Sequence, residues 1–400
     1  MTQFYLVETL EIITKRVTLI EKSSIFGEMK LILIFGTRPE AIKLFPVYQE
    51  LIKNRQLMVK ICLTSQQREL QDQIFDIFEV KADYDLNLML PNQSLSGLTS
   101  RILSSLNPIL QKEQPDWVLV HGDTTTAFAG ALSAFNERIK VAHVEAGLRS
   151  GDLTNPFPEE ANRICVDKIS SVLFAPTLKA KQNLLNEGHS ESTIHVTGNT
   201  AIDMILYATT HRTKNLKCNF NYKYKSAGEK KIILVTLHRR ENIDCAIAEV
   251  ASAIAELATR DDLQFIIPVH PNPNVKKILD KALGHQKNVF LINPVSYFEF
   301  ISLMKESFLI ITDSGGIQEE APTLNVPVLV ARETTERPEA VEVGAAKLVG
   351  TKATDIIRTI TSLIENPTEY DKMRNAKNPF GDGKASHHIA SFFFSLLARQ

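Results

Sequence analysis

The residues best suited to chemistry lie in a short segment in the last quarter of the chain, residues 312–322 (TDSGGIQEEAP). The apolar run before it predicts a buried strand, and Gly315 and Gly316 let the backbone turn tightly and approach a ligand. Ser314 suits the N-cap of a following helix, whose free N–H groups and dipole favour a phosphate. Glu320, one helical turn past the glycines, could then reach a sugar hydroxyl. Taken alone, an ordinary strand-to-helix turn explains the segment about as well.

A second segment with anion-binding character follows the first apolar run, at residues 36–43 (GTRPEAIK). Pro39 suits the first position of a helix. Arg38 and Lys43 then flank a helix N-terminus, where the dipole disfavours cations, so their placement favours an anion between them. A solvated pair of surface charges is the other interpretation. The segment lacks the Gly-Lys-Ser/Thr ending of a Walker A loop, and no G-x-G-x-x-G follows a strand, so kinase-like and dinucleotide-dependent functions lose support.

Acidic residues follow two further strand patterns and one proline-rich loop. Asp123 and Glu145 come directly after neighbouring predicted strands, and Glu159 and Glu160 open a helix after residues 155–158 (NPFP). Sequential strands usually lie close together, so these carboxylates could converge. Carboxylates gathered in a dry cleft have separated pKa values and can serve as acid and base. Asp123 could instead cap the next helix, and one of the two glutamates could be structural.

Histidines and arginines follow three apolar runs in the second half of the chain. His238 lies in residues 237–242 (LHRREN), His270 precedes residues 271–273 (PNP), and Arg337 closes a loop after the third run. Histidine and arginine side chains at strand ends suit a pyrophosphate group. On the same edge as the Ser-Gly-Gly turn, they favour a nucleoside diphosphate as ligand.

Short apolar runs alternate with amphipathic segments along the whole chain, which predicts βαβ units and parallel sheets. Two such sets predict an α/β protein of two Rossmann-like domains that face each other over a cleft, with ligands at the carboxyl ends of the strands. The polar stretch at residues 211–231 suits a hinge. The predicted strands are residues 31–35, 59–64, 117–120, 141–144, 172–175, 232–235, 265–269, 289–292, 308–311 and 326–330. The predicted domains are residues 29–205 and 206–375, with an N-terminal extension at 1–28 and a C-terminal helix at 376–400 that returns to the first domain.

Composition excludes several classes of protein. The formal net charge of −1 gives no indication of nucleic acid or an anionic membrane as partner. No apolar run approaches the ~20 residues of a membrane span. The four cysteines are scattered and show no C-x-x-C pair, which favours free thiols in a reducing cytoplasm over disulfides or a zinc site.

Taken together, the motifs resemble one family, the bacterial non-hydrolysing UDP-N-acetylglucosamine 2-epimerases. The resemblance runs from about residue 29 through residue 383, and so many motifs in order make it highly specific. They are GTRPEAIK at 36–43, HGDT at 121–124, HVEAGLR at 143–149, PEEANR at 158–163, TGNT at 197–200, HRREN at 238–242, TDSGGIQEEAP at 312–322 and TERPEA at 335–340.

The resemblance implies a fold like that of the GT-B glycosyltransferases and glycogen phosphorylase, and commonly a homodimer. It implies interconversion of UDP-GlcNAc and UDP-ManNAc for surface polysaccharide synthesis. The family's route is elimination of UDP across carbons 1 and 2 of the sugar to give 2-acetamidoglucal, followed by re-addition with the opposite configuration at carbon 2. No metal or redox cofactor is implied.

The resemblance also implies roles for single residues. Asp123, Glu145 and Glu159 match the family's acid/base carboxylates, and His238 matches a group at the diphosphate. Phe300 matches a residue beside the uracil. The other UDP-sugar contacts are Arg38, Lys43, Ser314, Gly315, Gly316, Glu320 and Arg337.

One segment departs from the family's pattern. Residues 66–69 read QQRE where the family usually has QHRE, and Asn92 stands where some members have arginine. Several bacterial members bind a second UDP-GlcNAc near this segment as an activator. Gln66 and His270 could still contribute to such a site.

Three alternatives are open at this point. A hydrolysing epimerase would release free ManNAc and UDP from the same glycal intermediate. A retaining glycosyltransferase on a similar fold would need an acceptor and would not exchange solvent deuterium into carbon 2. A catalytically silent UDP-sugar-binding regulator would not need the three carboxylate sites that this chain retains.

Overall fold

The computed structural model describes residues 28–64, 78, 80–90, 93–210, 230–237, 243–270, 272–335 and 337–399. The extension before residue 28 and most of the stretch interpreted as a hinge therefore lie outside the described residues. The chain divides into two compact units. Unit 1 runs to Thr197 and resumes at Lys384, and unit 2 is Gly198–Gly383.

Unit 1 is built on a parallel sheet of seven strands in the order β3-β2-β1-β4-β5-β6-β7. The apolar runs read from the sequence form its centre because a parallel sheet covered on both faces needs apolar side chains on both sides of each strand. In β1 every residue from Leu31 to Phe35 is buried. The strands are β1 (Met29–Phe35), β2 (Leu57–Leu63), β3 (Tyr84–Asp85), β4 (Trp117–His121), β5 (Lys140–Val144), β6 (Val172–Ala175) and β7 (Ile194–Val196).

Helices connect these strands, and threonines open three of them. Thr37, Thr124 and Thr177 occupy N-cap positions, and each side chain accepts a backbone N–H of the first turn. The helices are α1 (Arg38–Leu51), α2 (Leu95–Glu113), α3 (Thr125–Asn136), α4 (Glu159–Ile169) and α5 (Leu178–Asn186).

Unit 2 repeats the arrangement with six parallel strands in the order β10-β9-β8-β11-β12-β13. Its strands are β8 (Lys231–Thr236), β9 (Leu263–Pro268), β10 (Val289–Ile292), β11 (Leu309–Thr312), β12 (Val328–Val330) and β13 (Ala346–Leu348). Its helices are α6 (Thr200–Thr210), α7 (Ile243–Leu257), α8 (Pro273–Leu283), α9 (Tyr297–Glu306), α10 (Gly315–Glu320), α11 (Pro338–Glu342), α12 (Ala353–Glu365) and α13 (Pro367–Arg374). One-turn 3₁₀ helices follow α5 at Glu191–Thr193 and α10 at Ala321–Leu324.

The last helix, α14 (Ala385–Leu397), belongs to unit 1 and packs against α1. Its Phe392 and Phe393 rings meet the indole of Trp117 edge-on, with centroids 6.0 Å and 5.6 Å away. Trp117 is the only tryptophan of the chain, so its fluorescence reports on the core of unit 1.

Both sheets reverse their strand order at one point, between β1 and β4 in unit 1 and between β8 and β11 in unit 2. In open parallel sheets ligands bind outside the carboxyl ends of the strands that flank such a reversal. The loops after β1 and β4, and after β8 and β11, are therefore the places where each unit offers a site.

The predicted α/β class with two parallel sheets is confirmed, and a strand lies at each of the ten predicted apolar runs. Among the described residues, three strands were not predicted from the sequence, namely β3, β7 and β13. Each has only two or three residues, too few for a periodic signal. The prediction that Pro39 opens the first helix is wrong by one residue, because α1 begins at Arg38.

The backbone at Gly147 generates a prediction about unit 1. Its φ is +84°, and a Cβ there would meet the carbonyl oxygen of Ala180 and would lie 2.8 Å from Leu184 Cγ. We expect Gly147→Ala to lower the free energy of unfolding of unit 1 by roughly 2–5 kcal/mol, from left-handed backbone strain plus overpacking. Urea unfolding followed by Trp117 fluorescence measures this loss.

Gly151 provides the matched control. Its φ is +81°, and a Cβ there would have nothing within 4 Å. Gly151→Ala should therefore show only the backbone cost of about 1–2 kcal/mol. Equal losses in the two variants would contradict the packing argument.

Candidate active site

The acidic residue after β5, Glu145, is held by residues from two other elements. Lys43 Nζ, from α1, forms an ion pair with Glu145 Oε2, and the side chains are only 13% and 9% exposed. The backbone of Glu145 has a φ of +70°, an unusual value for a residue other than glycine. Such backbone strain concentrates at functional sites because the surrounding structure must enforce it.

His121, the last residue of β4, faces the same carboxylate. Its Nε2 lies 3.6 Å from Glu145 Oε2, and its side chain is 4% exposed. Within the described residues this nitrogen has no hydrogen-bond partner. The sequence alone does not single out His121, although a histidine at the carboxyl end of a central strand was a usable signal. A buried polar atom without a partner is costly, which favours a substrate contact here.

Asp123 is held by helix α4. Its carboxylate forms an ion pair with Arg163, and its carbonyl oxygen accepts a hydrogen bond of 2.9 Å from Asn162 Nδ2. The alternative that Asp123 caps the next helix is not what the structure shows, because Thr124 occupies that position and accepts the N–H of Ala127. The Asp123 carboxylate therefore does not cap the helix but pairs with Arg163 at the end of β4.

The two glutamates that open α4 divide into a buried and a partly exposed group. Glu160 is 1% exposed, and its carboxylate accepts the N–H groups of Ser150 and Gly151 at 3.0 Å. Arg163 Nη1 lies 3.3 Å from it. Glu160 thus supports the loop after β5, whereas Glu159 is partly exposed at the first residue of the helix.

A third buried carboxylate, Glu40, joins the loops after β1 and β4. Its Oε2 accepts the N–H groups of Gly36 (3.1 Å) and Thr37 (2.8 Å), and its Oε1 accepts the Thr124 hydroxyl at 2.7 Å. Burial raises the pKa of Glu40 despite these hydrogen bonds. The T-x-x-E spacing from Thr37 is the sequence signal for it. Arg38, at the start of α1 beside this junction, is partly exposed.

In unit 2 the predicted phosphate turn lies at the end of β11. Ser314 occupies the N-cap position of α10, without a side-chain hydrogen bond to the helix, and Gly315 and Gly316 form its first two residues. A Cβ on Gly315 would lie 3.9 Å from the Arg337 guanidinium carbon, so Arg337 stands directly beside the turn. Its Nε forms an ion pair with Glu319, whose side chain is 1% exposed.

The residues predicted for the nucleoside lie on the neighbouring helix and the end of α10. Tyr297 donates a hydrogen bond of 3.3 Å from its hydroxyl to Glu320 Oε1. Phe300 lies on the same helix as Tyr297, α9, and is partly buried against the core of unit 2. This hydrogen bond links Glu320 to the helix that carries Phe300.

The remaining predicted residues are either peripheral or not described. His270 is exposed after β9, where its Nδ1 accepts the N–H of Asn272 at 3.2 Å. His238, Gln66 and Asn92 lie outside the described residues. In the part of the chain that the structure describes, no helix is long and apolar enough to cross a membrane. Over the same residues, no group of three or more histidine, cysteine, aspartate or glutamate side chains is arranged to hold a metal ion.

Comparison with known proteins identifies the family. The sequence model described as UDP-N-acetylglucosamine 2-epimerase matches residues 49–393. This chain belongs to the UDP-N-acetylglucosamine 2-epimerase family. As a member of that family it is an enzyme, an epimerase.

Relatives of known name agree with this over nearly the whole chain. The UDP-N-acetylglucosamine 2-epimerase of Escherichia coli K12 is 49% identical over 366 residues, which are 90% of this chain and 97% of that protein. A crystal structure of the Neisseria meningitidis UDP-GlcNAc 2-epimerase bound to UDP-GlcNAc superposes with a TM-score of 0.85 at 47% identity, covering 92% of this chain and 100% of that one. The Methanocaldococcus jannaschii enzyme, solved in complex with UDP-GlcNAc and UDP, gives 0.78 at 40% identity over 92% and 100% of the two chains. The predicted GT-B-like class of two Rossmann-like domains is confirmed.

In unit 1, the fully buried carboxylate of Asp167 makes the stability of the epimerase depend on pH. Asp167 accepts hydrogen bonds from Arg149 Nη2 (2.6 Å) and the Gly147 N–H (3.2 Å), and its Oδ1 lies 2.6 Å from His143 Nδ1. Burial alone would raise the pKa of Asp167, but the charges and hydrogen bonds of His143 and Arg149 outweigh it and lower that pKa.

We therefore expect Asp167 to stabilise unit 1 at neutral pH and to lose this effect in acid. Because the folded state holds the proton less tightly than the unfolded chain, the contribution is complete above about pH 4, the ordinary aspartate pKa, and is lost as pH falls toward the lower folded pKa. Urea unfolding followed by Trp117 fluorescence, for wild type and Asp167→Asn at pH 7 and pH 3, measures it.

The stability difference between the two proteins should be smaller at pH 3 than at pH 7. Glu40, whose pKa shift has the opposite sign, is present in both proteins, so its effect cancels in the difference. A difference that stays constant over this range would contradict the assignment.

Proposed function

We propose that this epimerase interconverts UDP-GlcNAc and UDP-ManNAc without net hydrolysis, by elimination of UDP to 2-acetamidoglucal and re-addition. The observation that carries the proposal is the cluster in unit 1, where Glu145 meets Lys43 and His121 while Asp123 meets Arg163. The Neisseria and Methanocaldococcus relatives, which match nearly the whole chain, were solved with UDP-GlcNAc.

The proposed reaction needs proton transfer at carbon 2 of the sugar. A carboxylate takes the carbon 2 proton, the C2–H electron pair forms the C1=C2 double bond, and the C1–O bond breaks so that UDP leaves with its electrons. In re-addition a phosphate oxygen of UDP bonds to carbon 1 and a proton returns to carbon 2 from the other face. Inversion therefore needs groups on two faces of the ring, and positioned carboxylates of this kind contribute about 10²–10⁴ in rate each.

Asp123 and Glu145 suit this pair of roles because they come from the adjacent strands β4 and β5, which place them side by side at one sheet edge. Lys43 and Arg163 form ion pairs with these two carboxylates and fix their positions. Glu159, partly exposed at the start of α4, is the third carboxylate that we propose for the reaction.

The leaving diphosphate needs cationic and N–H donors that are fixed before the bond breaks. We propose that the turn of Ser314, Gly315 and Gly316 and the guanidinium of Arg337 supply them, together with His238. Arg337 suits this role because the buried Glu319 carboxylate pairs with its Nε and fixes the guanidinium beside Gly315.

Three further contacts complete the proposed UDP-sugar site. Glu320 would bind the ribose hydroxyls, Phe300 would lie beside the uracil, and Arg38 would join Lys43 near the sugar phosphate. We also propose a cytoplasmic homodimer that supplies surface polysaccharide synthesis, as the family resemblance implies. Gln66 and His270 are the residues to test for a second, activating UDP-GlcNAc.

Proton NMR of UDP-GlcNAc with the enzyme in deuterated water tests the reaction directly. We expect UDP-ManNAc to accumulate and deuterium to enter carbon 2 of both nucleotide sugars, because every turnover exchanges that proton. Accumulation of free ManNAc and UDP without UDP-ManNAc would establish the hydrolysing alternative instead. Turnover without carbon 2 exchange would favour a retaining glycosyltransferase.

Variants of the carboxylates test the assignment of residues. We expect Glu145→Gln and Asp123→Asn each to lower kcat by about 10³-fold, the loss of one acid/base group. Asp116→Asn is the control, because Asp116 lies just before the amino end of β4, where its carboxylate accepts the Lys30 N–H at 2.8 Å. Full turnover in a double variant of Asp123 and Glu145 would refute the assignment.

A further inference from the structure

One histidine of unit 1 is completely buried between two hydrogen-bond acceptors. His143 Nδ1 lies 2.6 Å from Asp167 Oδ1, and Nε2 lies 2.8 Å from the carbonyl oxygen of Gly122. The side chains of His143 and Asp167 are both 0% exposed. Neither residue is among those proposed above for the reaction.

The two acceptors determine the protonation of the ring. A carbonyl oxygen can only accept, so Nε2 must carry a proton. Asp167 is ionised because its other oxygen accepts Arg149 Nη2 at 2.6 Å and the Gly147 N–H at 3.2 Å, so Nδ1 must carry a proton as well. The ring that satisfies both bonds is the imidazolium cation.

Charge compensation makes a buried imidazolium tenable here. Arg149 also bonds Glu187, with Nε at 2.6 Å and Nη2 at 2.8 Å from its carboxylate oxygens. His143, Asp167, Arg149 and Glu187 thus form a set of two cations and two anions, which avoids the cost of an unpaired buried charge. The set reaches from the centre of the sheet to the partly exposed Glu187.

The pair fixes the peptides that carry the proposed acid/base residues. The Nε2 hydrogen bond orients the Gly122 carbonyl, the peptide directly before Asp123, in a turn where Gly122 has a φ of +64°. Asp167 Oδ2 holds the N–H of Gly147, two residues after Glu145. One buried pair therefore holds both loops at the carboxyl edge of β4 and β5.

We propose that His143 and Asp167 are positioning residues for the epimerisation, acting as a buried imidazolium–carboxylate pair that fixes the loops of Asp123 and Glu145. The role rests on the proposed function, since it is defined by the carboxylates it positions. A misplacement of reacting groups by 1 Å can cost about 10²-fold in rate, so a pair without substrate contact can affect turnover strongly.

Nitrogen-15 NMR of the histidine side chains tests the protonation state in the intact wild-type enzyme without substrate. We expect one histidine with protons on both ring nitrogens, protected from solvent exchange, and we expect its signals to vanish in His143→Gln. A buried His143 ring with a single N–H would overturn the proposal. This measurement does not depend on the folding of any Asp167 variant.

Kinetics of deuterium entry at carbon 2 test the positioning role. We expect Asp167→Asn to lower kcat about 10²-fold with little change in KM, because orientation rather than substrate binding is lost. Asp167→Glu, which restores the negative charge, should recover part of kcat. Glu191→Gln, which removes an exposed carboxylate of unit 1 that pairs with Lys181 outside this set, should stay near wild type.

A merely structural role gives a different result. Asp167→Asn would then lower only the unfolding midpoint seen by Trp117 fluorescence, with wild-type kcat per folded molecule, and this outcome would overturn the proposal. Failure of the proposed function is distinguishable, because wild-type enzyme would then show no carbon 2 exchange while the two-proton signal of His143 persisted.

Discussion

Every buried carboxylate at the carboxyl edge of the first sheet must have a cation or backbone N–H groups as a partner, and this requirement organises unit 1. An ionised carboxylate without a partner in such a place would cost several kcal/mol. Lys43 forms an ion pair with Glu145. The partly exposed Asp123 has Arg163 as its partner in the same way. Backbone N–H groups donate hydrogen bonds to the carboxylates of Glu40 and Glu160.

Helix α4 makes several of these contacts with side chains on one buried face. Glu160, Arg163 and Asp167 follow one another at helical spacing and are all buried, whereas the chain before them forms exposed loop. Through them the helix reaches the loop after β5, the carboxylate after β4 and the buried His143. The proposed acid/base groups can therefore lie on loops and still have fixed positions, which is what preorganised proton transfer requires.

Unit 2 meets the same requirement with a different purpose. Glu319 is a fully buried carboxylate that bonds Asn199 Nδ2 at 3.1 Å and pairs with Arg337 beside the Gly315 turn. Here the buried anion fixes a cation beside the Gly315 turn, whereas in unit 1 cations fix anions. This complementarity suits a proposed reaction that needs proton transfer at the sugar and charge stabilisation at the departing diphosphate.

The sequence predicts the parts of this arrangement that depend on local pattern. Apolar runs define the central strands, and parallel neighbours place Asp123 and Glu145 at one edge without further information. Pairings between distant segments, such as Lys43 with Glu145 or Thr124 with Glu40, depend on helix rotation and have no local signature. For the same reason the sequence leaves open which of Glu159 and Glu160 is buried.

A double-mutant cycle on carbon 2 exchange tests the central claim, that Lys43 acts by holding the Glu145 carboxylate. Deuterium entry from solvent would be measured for wild type, Lys43→Met, Glu145→Gln and the double variant. The comparison is made at saturating UDP-GlcNAc, where the phosphate contact proposed for Lys43 does not limit substrate binding. Because Lys43 has no carboxylate to hold once Glu145 is replaced, the double variant should then exchange no more slowly than Glu145→Gln alone. Losses that multiply in the double variant would show that the two residues act independently and would contradict the account.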